Sequence, residues 1–386
     1  ETARTIDYGA RCLAIAARRG DAPLAMLARR YLGHSHHAQG QHRLAQEVLE
    51  DNVEALEAEG ATDVGATTSY VASRSWLAWT LADQGEFERA DVCLDRARAR
   101  AEDARHPYSQ AIAWTISGLV WRERGQLDRA IAPLARSLEL CEQASLSVWQ
   151  PIVSAALGAT LVAVDRKDEG EALLRDAVRR SEALGVMAYL SRWVVLLGEG
   201  LLARGDVAGA RAAADRAIEL ALAHGERGHE AMAWRLVGDV AAQDPAADLP
   251  AAREAYEQAL AIGDELGLRP LVARTHFDLG RLQRRLGHLE DAEEHVARAV
   301  VLFSDMGMRH WLEQSEPELK ALGHLVIVDR SNVGLFESLR RQFAGDPEII
   351  LDRRREPAPR AGHAERRHHP VDGALRRRGL AVVIPQ

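Results

Sequence analysis

The feature that most constrains this chain is a motif of small residues that recurs about every 40 residues. In its clearest copy Gly118 is followed by Gly125 seven residues later and by Ala130 five residues after that. The first small residue of each copy stands at position 33, 78, 118, 158, 198, 238 or 280. Self-similarity at a fixed period predicts a stack of repeats in which each unit packs on its neighbours rather than around one central core.

Each repeat predicts two helices joined by a tight turn. In the unit around Gly118 apolar residues at helical spacing predict a first helix over 109–124 and a second over 127–143. Gly125 allows the turn, and larger side chains at Gly118 or Ala130 would push the two helix axes apart. Glycines that are predicted to end helices in the left-handed conformation stand at positions 20, 60, 185, 225, 267 and 307.

These units predict an all-α solenoid. The repeat is similar to the tetratricopeptide repeat (TPR), whose usual unit has about 34 residues. A half unit at 1–20 and seven full units over 21–307 would form a right-handed superhelix of helix pairs. A helix over 308–323 would close it, with a kink or a new start at Pro317.

The composition changes after position 323. Short β-branched runs at 324–329, 347–351 and 380–384 predict strands, and an amphipathic helix is predicted over 331–343. The Arg-, Pro- and His-rich stretch 353–378 predicts a loop or disorder. We therefore predict two domains, a TPR-like solenoid over 1–323 and a small α/β or partly disordered appendage over 324–386.

The composition also argues against several function classes. A net charge of −8 argues against a general nucleic-acid binder, although the basic stretch 353–378 could bind RNA or an acidic partner if it is not simply solvated. No apolar run reaches about 18 residues, so we predict no membrane partner. Three cysteines without a CxxC motif indicate buried thiols in a reducing compartment, and hence a cytoplasmic location.

No motif for catalysis, metal or cofactor binding stands out. Neither lysine follows a glycine, so no P-loop is present. His229 and Glu230 begin like a zinc-protease helix, but Ala233 replaces the second histidine. The densest histidine cluster, at positions 34, 36 and 37, has no carboxylate or cysteine nearby in sequence, which favours surface histidines. We predict a protein without catalytic residues, metal or cofactor.

The first helix of each unit is expected to line the concave face of the solenoid. Its arginines could hold carboxylates through paired hydrogen bonds, which predicts an acidic protein or peptide segment as partner, or the protein's own upstream domains. The alternative is that these arginines are solvated or paired with acidic residues of adjacent helices. The candidate binding residues of this groove are Trp79, Leu119, Arg122, Arg192, Arg235, Arg274, Phe277, Arg281 and Arg284.

Several phrases resemble the C-terminal TPR region of large bacterial signalling proteins, which join a class III adenylate/guanylate cyclase domain to an AAA-type ATPase module. The resemblance covers roughly 1–323 and rests on whole phrases such as HGERGHEAMAWRLVGDVAA (224–242) and LGLRPLVARTHFDLGRLQRRLGHLEDA (266–292). It implies that the chain is the sensory or scaffolding end of a cyclase or ATPase protein. The cyclase aspartates and the ATPase P-loop have no counterpart here, so the resemblance carries over no catalytic residue.

Two functions remain open at this point. The first is a non-catalytic interaction and regulatory scaffold of a cyclase or ATPase protein. The alternative is the peptide- or small-ligand-sensing TPR region of a transcriptional regulator. Upstream sequence would separate them, since a cyclase or P-loop domain favours the first and a helix-turn-helix favours the second.

Overall fold

The computed structural model describes residues 2–60, 63–244, 249–322, 325–328, 349–351 and 380–383. In these ranges the chain forms helices α1 (Thr2–Arg19), α2 (Ala22–Ala38), α3 (His42–Glu59), α4 (Val64–Asp83), α5 (Phe87–Ala104), α6 (Pro107–Arg124), α7 (Leu127–Gln143), α8 (Gln150–Ala163), α9 (Lys167–Ala183), α10 (Leu190–Ala203), α11 (Val207–His224), α12 (Arg227–Gln243), α13 (Leu249–Leu266), α14 (Arg269–Leu286), α15 (Leu289–Asp305) and α16 (Arg309–Ala321), and strands β1 (Leu325–Val328), β2 (Ile349–Leu351) and β3 (Leu380–Val383).

The helices alternate as the 40-residue period predicts. Seven pairs, α2/α3 to α14/α15, follow the single helix α1 and precede the closing helix α16. The pair α6/α7 begins two residues before the predicted start and otherwise has the predicted bounds. The predicted fold class, a TPR-like α-solenoid, is confirmed.

Helix ends follow from local residue chemistry. Gly125 ends α6 with a φ of 88°, a left-handed conformation that side chains disfavour. The Asp21 carboxylate caps α2 by accepting the Leu24 N–H at 3.0 Å. The six glycines predicted to end helices all have positive φ. Pro317 lies inside α16, which is one helix through that position, so a new start there is wrong.

Small residues bring paired helices into close contact. A Cβ at Gly158 of α8 would lie 2.7 Å from the carbonyl oxygen of Gly170 in α9, and a Cβ at Gly118 would overlap the Leu134 side chain. Ala130 and Ala210 are fully buried at the corresponding positions of α7 and α11. The motif therefore sets the distance between axes, as predicted.

Two compact units divide the chain, an N-terminal unit over Glu1–Val272 and a C-terminal unit over Ala273–Gln386, and the division falls inside α14. In the N-terminal unit the core lies between the helix layers, where Trp79, Trp193 and Phe87 are almost completely buried. In the C-terminal unit the rings of Phe303 and Trp311 join α15 to α16, with centroids 5.9 Å apart. The predicted boundary after position 323 stays a prediction.

Three strands stand where short β-branched runs predict them. β1 is central in the order β2-β1-β3. It pairs in parallel with β2, Val326 opposite Ile349, and antiparallel with β3, Leu325 opposite Val383. The predicted helix over 331–343 and the basic stretch 353–378 lie outside the described residues. Among the helices that are described, none has the length and apolarity needed to cross a membrane.

Candidate functional site

The first helices of the N-terminal unit converge on Tyr189, the residue that precedes α10. Its hydroxyl accepts a hydrogen bond from Trp76 Nε1 at 2.8 Å and lies 3.0 Å from Nδ1 of His37. Helices α2, α4 and α10 therefore meet although more than 100 residues separate α10 from the other two. In the turn after α2, a Cβ on Gly40 would lie 3.1 Å from the backbone nitrogen of Gly228 in α12. We call the side formed by α2, α4, α6, α8, α10 and α12 the inner face. The contacts at Tyr189 and Gly40 connect α2 to α10 and α12 across this face, so the inner face is closed there.

A buried ionic cluster lies beside Tyr189. Arg192, which is 4% exposed, lies 4.0 Å from the Asp83 carboxylate and 3.8 Å from that of Glu123. His37 Nε2 is 3.1 Å from Asp83 Oδ2. Burial by itself raises the pKa of Asp83, but the His37 hydrogen bond and the Arg192 charge outweigh it and lower that pKa to about 2. Asp83 is thus ionised at neutral pH.

Two buried histidines face this carboxylate. Burial lowers the pKa of His37, against the opposing effect of Asp83, and it lowers the pKa of His42 to about 4. One ligand atom each from His37, His42 and Asp83 lie within 4.8 Å of one another. Neutral imidazoles beside an ionised carboxylate are donors that can hold a cation.

A second polar cluster joins α10 to α12. Ser191 donates to the Glu226 carboxylate, and its Oγ lies 2.9 Å from Nδ1 of His229. The same Nδ1 is 3.2 Å from Glu226 Oε2. A proton relay needs the imidazole to face the hydroxyl with one nitrogen and the carboxylate with the other. Because Nδ1 faces both partners here, and all three residues are buried, this cluster joins helices and does not activate Ser191.

A cavity of about 400 Å³ opens beside Tyr189. It lies among α2, α4 and α6 and the segments that precede α8 and α10. Ligand sites span roughly 300–1,000 Å³ and are mostly apolar, with a few polar groups that orient the ligand. This cavity has that character, since its walls carry the aromatic rings of Tyr31, Trp76, Tyr108, Trp149 and Tyr189.

Two polar side chains of α2 line the same cavity. His34 stacks on Trp76 with ring centroids 3.8 Å apart, and its buried Nε2 has no hydrogen-bond partner among the described residues. Burial, and then the nearby Arg30 charge, lower the pKa of His34, so this imidazole is neutral at pH 7. The Arg30 guanidinium lies over the Tyr31 ring at 4.5 Å, and its Nε is likewise buried without a partner in the described part of the chain. A ligand in the cavity would meet a cation and a neutral imidazole.

The predicted groove residues of the N-terminal unit lie on the closed inner face. Trp79 and Leu119 are buried, and Arg192 lies over the Trp79 ring at 5.1 Å. Arg122 and Arg235 both reach the Glu199 carboxylate, at 3.4 and 3.0 Å. These arginines are therefore paired with acidic residues of other first helices, and their part in ligand binding stays a prediction.

The predicted groove residues of the C-terminal unit contact α15 and α16. Arg274 lies over the Trp311 ring at 5.4 Å, and the Phe277 ring packs on that of Phe303. Arg281 and Arg284 reach the two oxygens of Glu318, at 3.2 and 2.8 Å. Arg281 keeps 55% of its side chain exposed in this pairing.

The expectation of surface histidines without a carboxylate is wrong for His37, which is 3% exposed and bonded to Asp83. The carboxylate comes from another helix, 46 residues later, so a search of the local sequence misses it. One signal was available, because Asp83 and Glu123 stand at the same repeat position, five residues after Ala78 and Gly118. The cavity residues Arg30 and His34 carry no such signal.

Two protein-family models match parts of this chain. Both are described as tetratricopeptide repeat, and they match residues 77–145 and 246–303. No curated protein matches.

Solved structures share the fold at low sequence identity. The Rap conjugation gene regulator of the plasmid pLS20, in complex with a Phr peptide, has a TM-score of 0.56 at 15% identity, over 74% of this chain and 76% of that one. A Rap protein complexed with competence and sporulation factor has a TM-score of 0.53 at 13% identity, over 89% and 99%. A signal transduction ATPase with a TPR sensor from Pyrococcus horikoshii has a TM-score of 0.43 at 14% identity, over 83% of this chain and 48% of its own length. For the two Rap structures, identities this low indicate a shared fold alone.

Proposed function

We propose that the N-terminal unit is a non-catalytic module that binds a short peptide segment in the aromatic cavity. The observation that carries this proposal is the cavity itself, about 400 Å³ with aromatic walls and two buried nitrogens, Arg30 Nε and His34 Nε2, that lack a hydrogen-bond partner in the described part of the chain. An apolar side chain of the peptide would bury against Trp76 and Trp149. A carboxylate of the peptide would pair with Arg30, which forms no ion pair with the described residues.

The likeness to Rap proteins supports this class of ligand. Two of the neighbours were solved with a Phr peptide and with competence and sporulation factor. A TPR-like solenoid is a preformed scaffold, so a short segment can bind without a large ordering cost in the protein. For this chain we propose peptide recognition by the cavity rather than by the closed inner face around Arg192.

The absence of catalysis is part of the proposal. The arrangement that most resembles catalytic machinery, Ser191 with His229 and Glu226, is a closed hydrogen-bonded cluster and not a relay. The proposed role is therefore recognition, with any chemistry located elsewhere in the protein.

We further propose that this recognition regulates a larger cytoplasmic signalling protein of bacteria. The support is the resemblance to TPR regions joined to cyclase and ATPase domains. Deleting 186–307 from the full-length protein should uncouple its cyclase or ATPase activity from the peptide, and unchanged regulation would contradict this. If a helix-turn-helix stands upstream instead, peptide-dependent DNA binding becomes the readout of the alternative, a transcriptional regulator.

Within the C-terminal unit, Arg281 is the predicted groove residue that a partner can most easily reach. We propose that an acidic partner segment replaces Glu318 as its ion-pair partner. Arg281→Gln should then weaken partner binding more at low salt than at high salt, because an exposed ion pair is screened.

A selection from a random heptapeptide library displayed on phage tests the cavity proposal directly. Ala188 is an exposed residue that lines the cavity, so Ala188→Trp should block it at little cost to the fold. Ala183→Trp, on the exposed side of α9, is the matched control. Enriched peptides should bind the wild-type chain and the control but not Ala188→Trp.

The acidic group is tested with the enriched peptides. Arg30→Gln should weaken their binding about tenfold, because a charge-assisted hydrogen bond contributes about 1.5–3 kcal/mol. Arg29→Gln is the control, since this neighbour in α2 does not line the cavity. Enrichment that survives Ala188→Trp would refute the cavity as the site, and equal binding by both arginine variants would refute the acidic preference.

A further inference from the structure

Three donors of metal-ligand type meet on the closed inner face, next to the cavity but not among the residues that line it. His37 comes from the end of α2, His42 from the start of α3 and Asp83 from the end of α4. Their ligand atoms lie within 4.8 Å of one another. His37 and His42 are each less than 5% exposed, so the cluster is held inside the unit and is not a chance surface grouping.

We propose that His37, His42 and Asp83 bind a divalent transition-metal ion such as Zn²⁺. Nε2 of His37 and Oδ2 of Asp83 are 3.1 Å apart. Two ligand atoms that are each about 2.0–2.2 Å from a tetrahedral Zn²⁺ ion lie about 3.3 Å from each other. The pair is therefore already spaced as two ligands of one ion, and two imidazoles with one carboxylate suit Zn²⁺ and similar ions.

The state of His42 points independently to a ligand. Its Nδ1 is buried and has no hydrogen-bond partner among the described residues. A buried polar nitrogen without a partner is costly, and metal coordination would satisfy it.

The surrounding charge favours a cation. The Asp83 carboxylate supplies a negative charge beside the two imidazoles. Arg192 lies 4.0 Å from this carboxylate and 3.8 Å from that of Glu123, so its positive charge is shared between two anions. Because opposite charges attract strongly in a buried, low-dielectric site, Asp83 favours a divalent cation there.

An ion on His37 would also change the hydrogen bonds of Tyr189. Without it, His37 Nε2–H donates to Asp83, so Nδ1 accepts the Tyr189 hydroxyl proton. With the ion on Nε2, the imidazole proton resides on Nδ1 and donates to Tyr189 Oη, as metal-bound histidines commonly do to a neighbouring acceptor. The Tyr189 hydroxyl, which already lies 3.4 Å from the His34 carbonyl oxygen as a donor, would then donate to that oxygen alone. Since Tyr189 and His34 line the cavity, the ion would influence it, although the metal site does not depend on what the cavity binds.

Metal titration of the full chain tests the site. The histidines at 368 and 369 could bind metal adventitiously, so the reference chain carries His368→Gln and His369→Gln. After chelator treatment, this chain should bind one equivalent of Zn²⁺ by calorimetry. It should also give the intense visible absorption of four-coordinate Co²⁺. Adding His42→Gln should lower the Zn²⁺ affinity at least tenfold, whereas His36→Gln, a partly exposed histidine of the same region, should leave it unchanged.

Circular dichroism checks that His42→Gln is folded. A second measurement uses the reference chain alone, so its result does not depend on the folding of that variant. X-ray absorption of the Zn²⁺-loaded reference chain should show two imidazole ligands and oxygen donors. No binding by the reference chain, an affinity that a folded His42→Gln variant retains, or a spectrum without imidazole scattering would each overturn the proposal.

Discussion

The two helices of each pair in the N-terminal unit are buried in different ways. The first helix α4 buries 14 of its 20 residues, among them Arg74 and several serines and threonines, whereas the second helix α5 buries 6 of its 18 in one apolar stripe. The second helix of this pair therefore packs through one apolar stripe. The first helix carries individual polar contacts, and the candidate sites of this unit lie among such contacts of first helices, together with His42 at the start of the second helix α3.

Ion pairs show the same contrast. Arg179 of α9 pairs with Asp176 one turn away, and its side chain is 73% exposed. Such a pair contributes about 0–1 kcal/mol. Arg192 of α10 is buried between Asp83 of α4 and Glu123 of α6. Removing one member of a buried cluster leaves an uncompensated charge, so its loss costs far more than that of an exposed pair.

The largest expected effect comes from Arg192→Met. It should lower the free energy of unfolding by about 3–5 kcal/mol, because Asp83 and Glu123 lose their buried counter-charge. Arg179→Met is the matched control and should change it by less than about 0.5 kcal/mol. Urea unfolding followed by circular dichroism measures both. Equal changes in the free energy of unfolding for the two variants would mean that the buried and the exposed ion pair contribute equally to stability.

A smaller effect on stability is expected where the first helix α8 contacts the second helix α9 at Gly158. Gly158→Val should lower the free energy of unfolding by about 1–3 kcal/mol, because the new side chain meets the Gly170 backbone, which has no rotamer to change. Glu139→Val, at an exposed position of α7, should stay within about 0.5 kcal/mol. Thermal unfolding of the two variants gives the comparison, and a neutral Gly158→Val would mean that the helix axes can move apart freely.

The smallest effect concerns the cavity wall. Burial lowers the pKa of His34 below its ordinary value of 6.5, so the unfolded chain binds a proton there more readily than the folded chain. The stability contributed by neutral His34 is complete above about pH 6.5 and is lost as the pH falls below it, by at most about 1.4 kcal/mol per pH unit.

His34→Phe keeps a ring to stack on Trp76 but cannot be protonated. Its stability should fall less between pH 7 and pH 5 than that of the wild type, as measured by urea unfolding at each pH. His36→Phe is the control at a neighbouring histidine, whose hydrogen bond with Gln41 is exposed, and an equal change of slope in both variants would not be specific to His34. Parallel slopes for His34→Phe and the wild type would mean that the folded chain binds a proton at His34 as readily as the unfolded chain does.

The fold could be predicted because repeats are local. The spacing of Gly118, Gly125 and Ala130 predicts two helices, a turn and a close approach without reference to distant residues, and the same spacing recurs along the chain. The candidate site could be predicted only in part. The repeat register predicts that Trp79 and Arg192 lie on the inner side. It does not predict that α2 approaches α10, nor that both residues are buried.

The sequence by itself determined the helix pairs, their turns and the small residues between them, because each depends on side chains within one 40-residue unit. Only the tertiary structure decided that His37 meets Asp83 and Tyr189, that Arg192 lies between two carboxylates, and that a cavity opens beside them. The physical reason is that the packing of each unit on the next sets how first helices meet. That geometry accumulates over several repeats and no single motif encodes it.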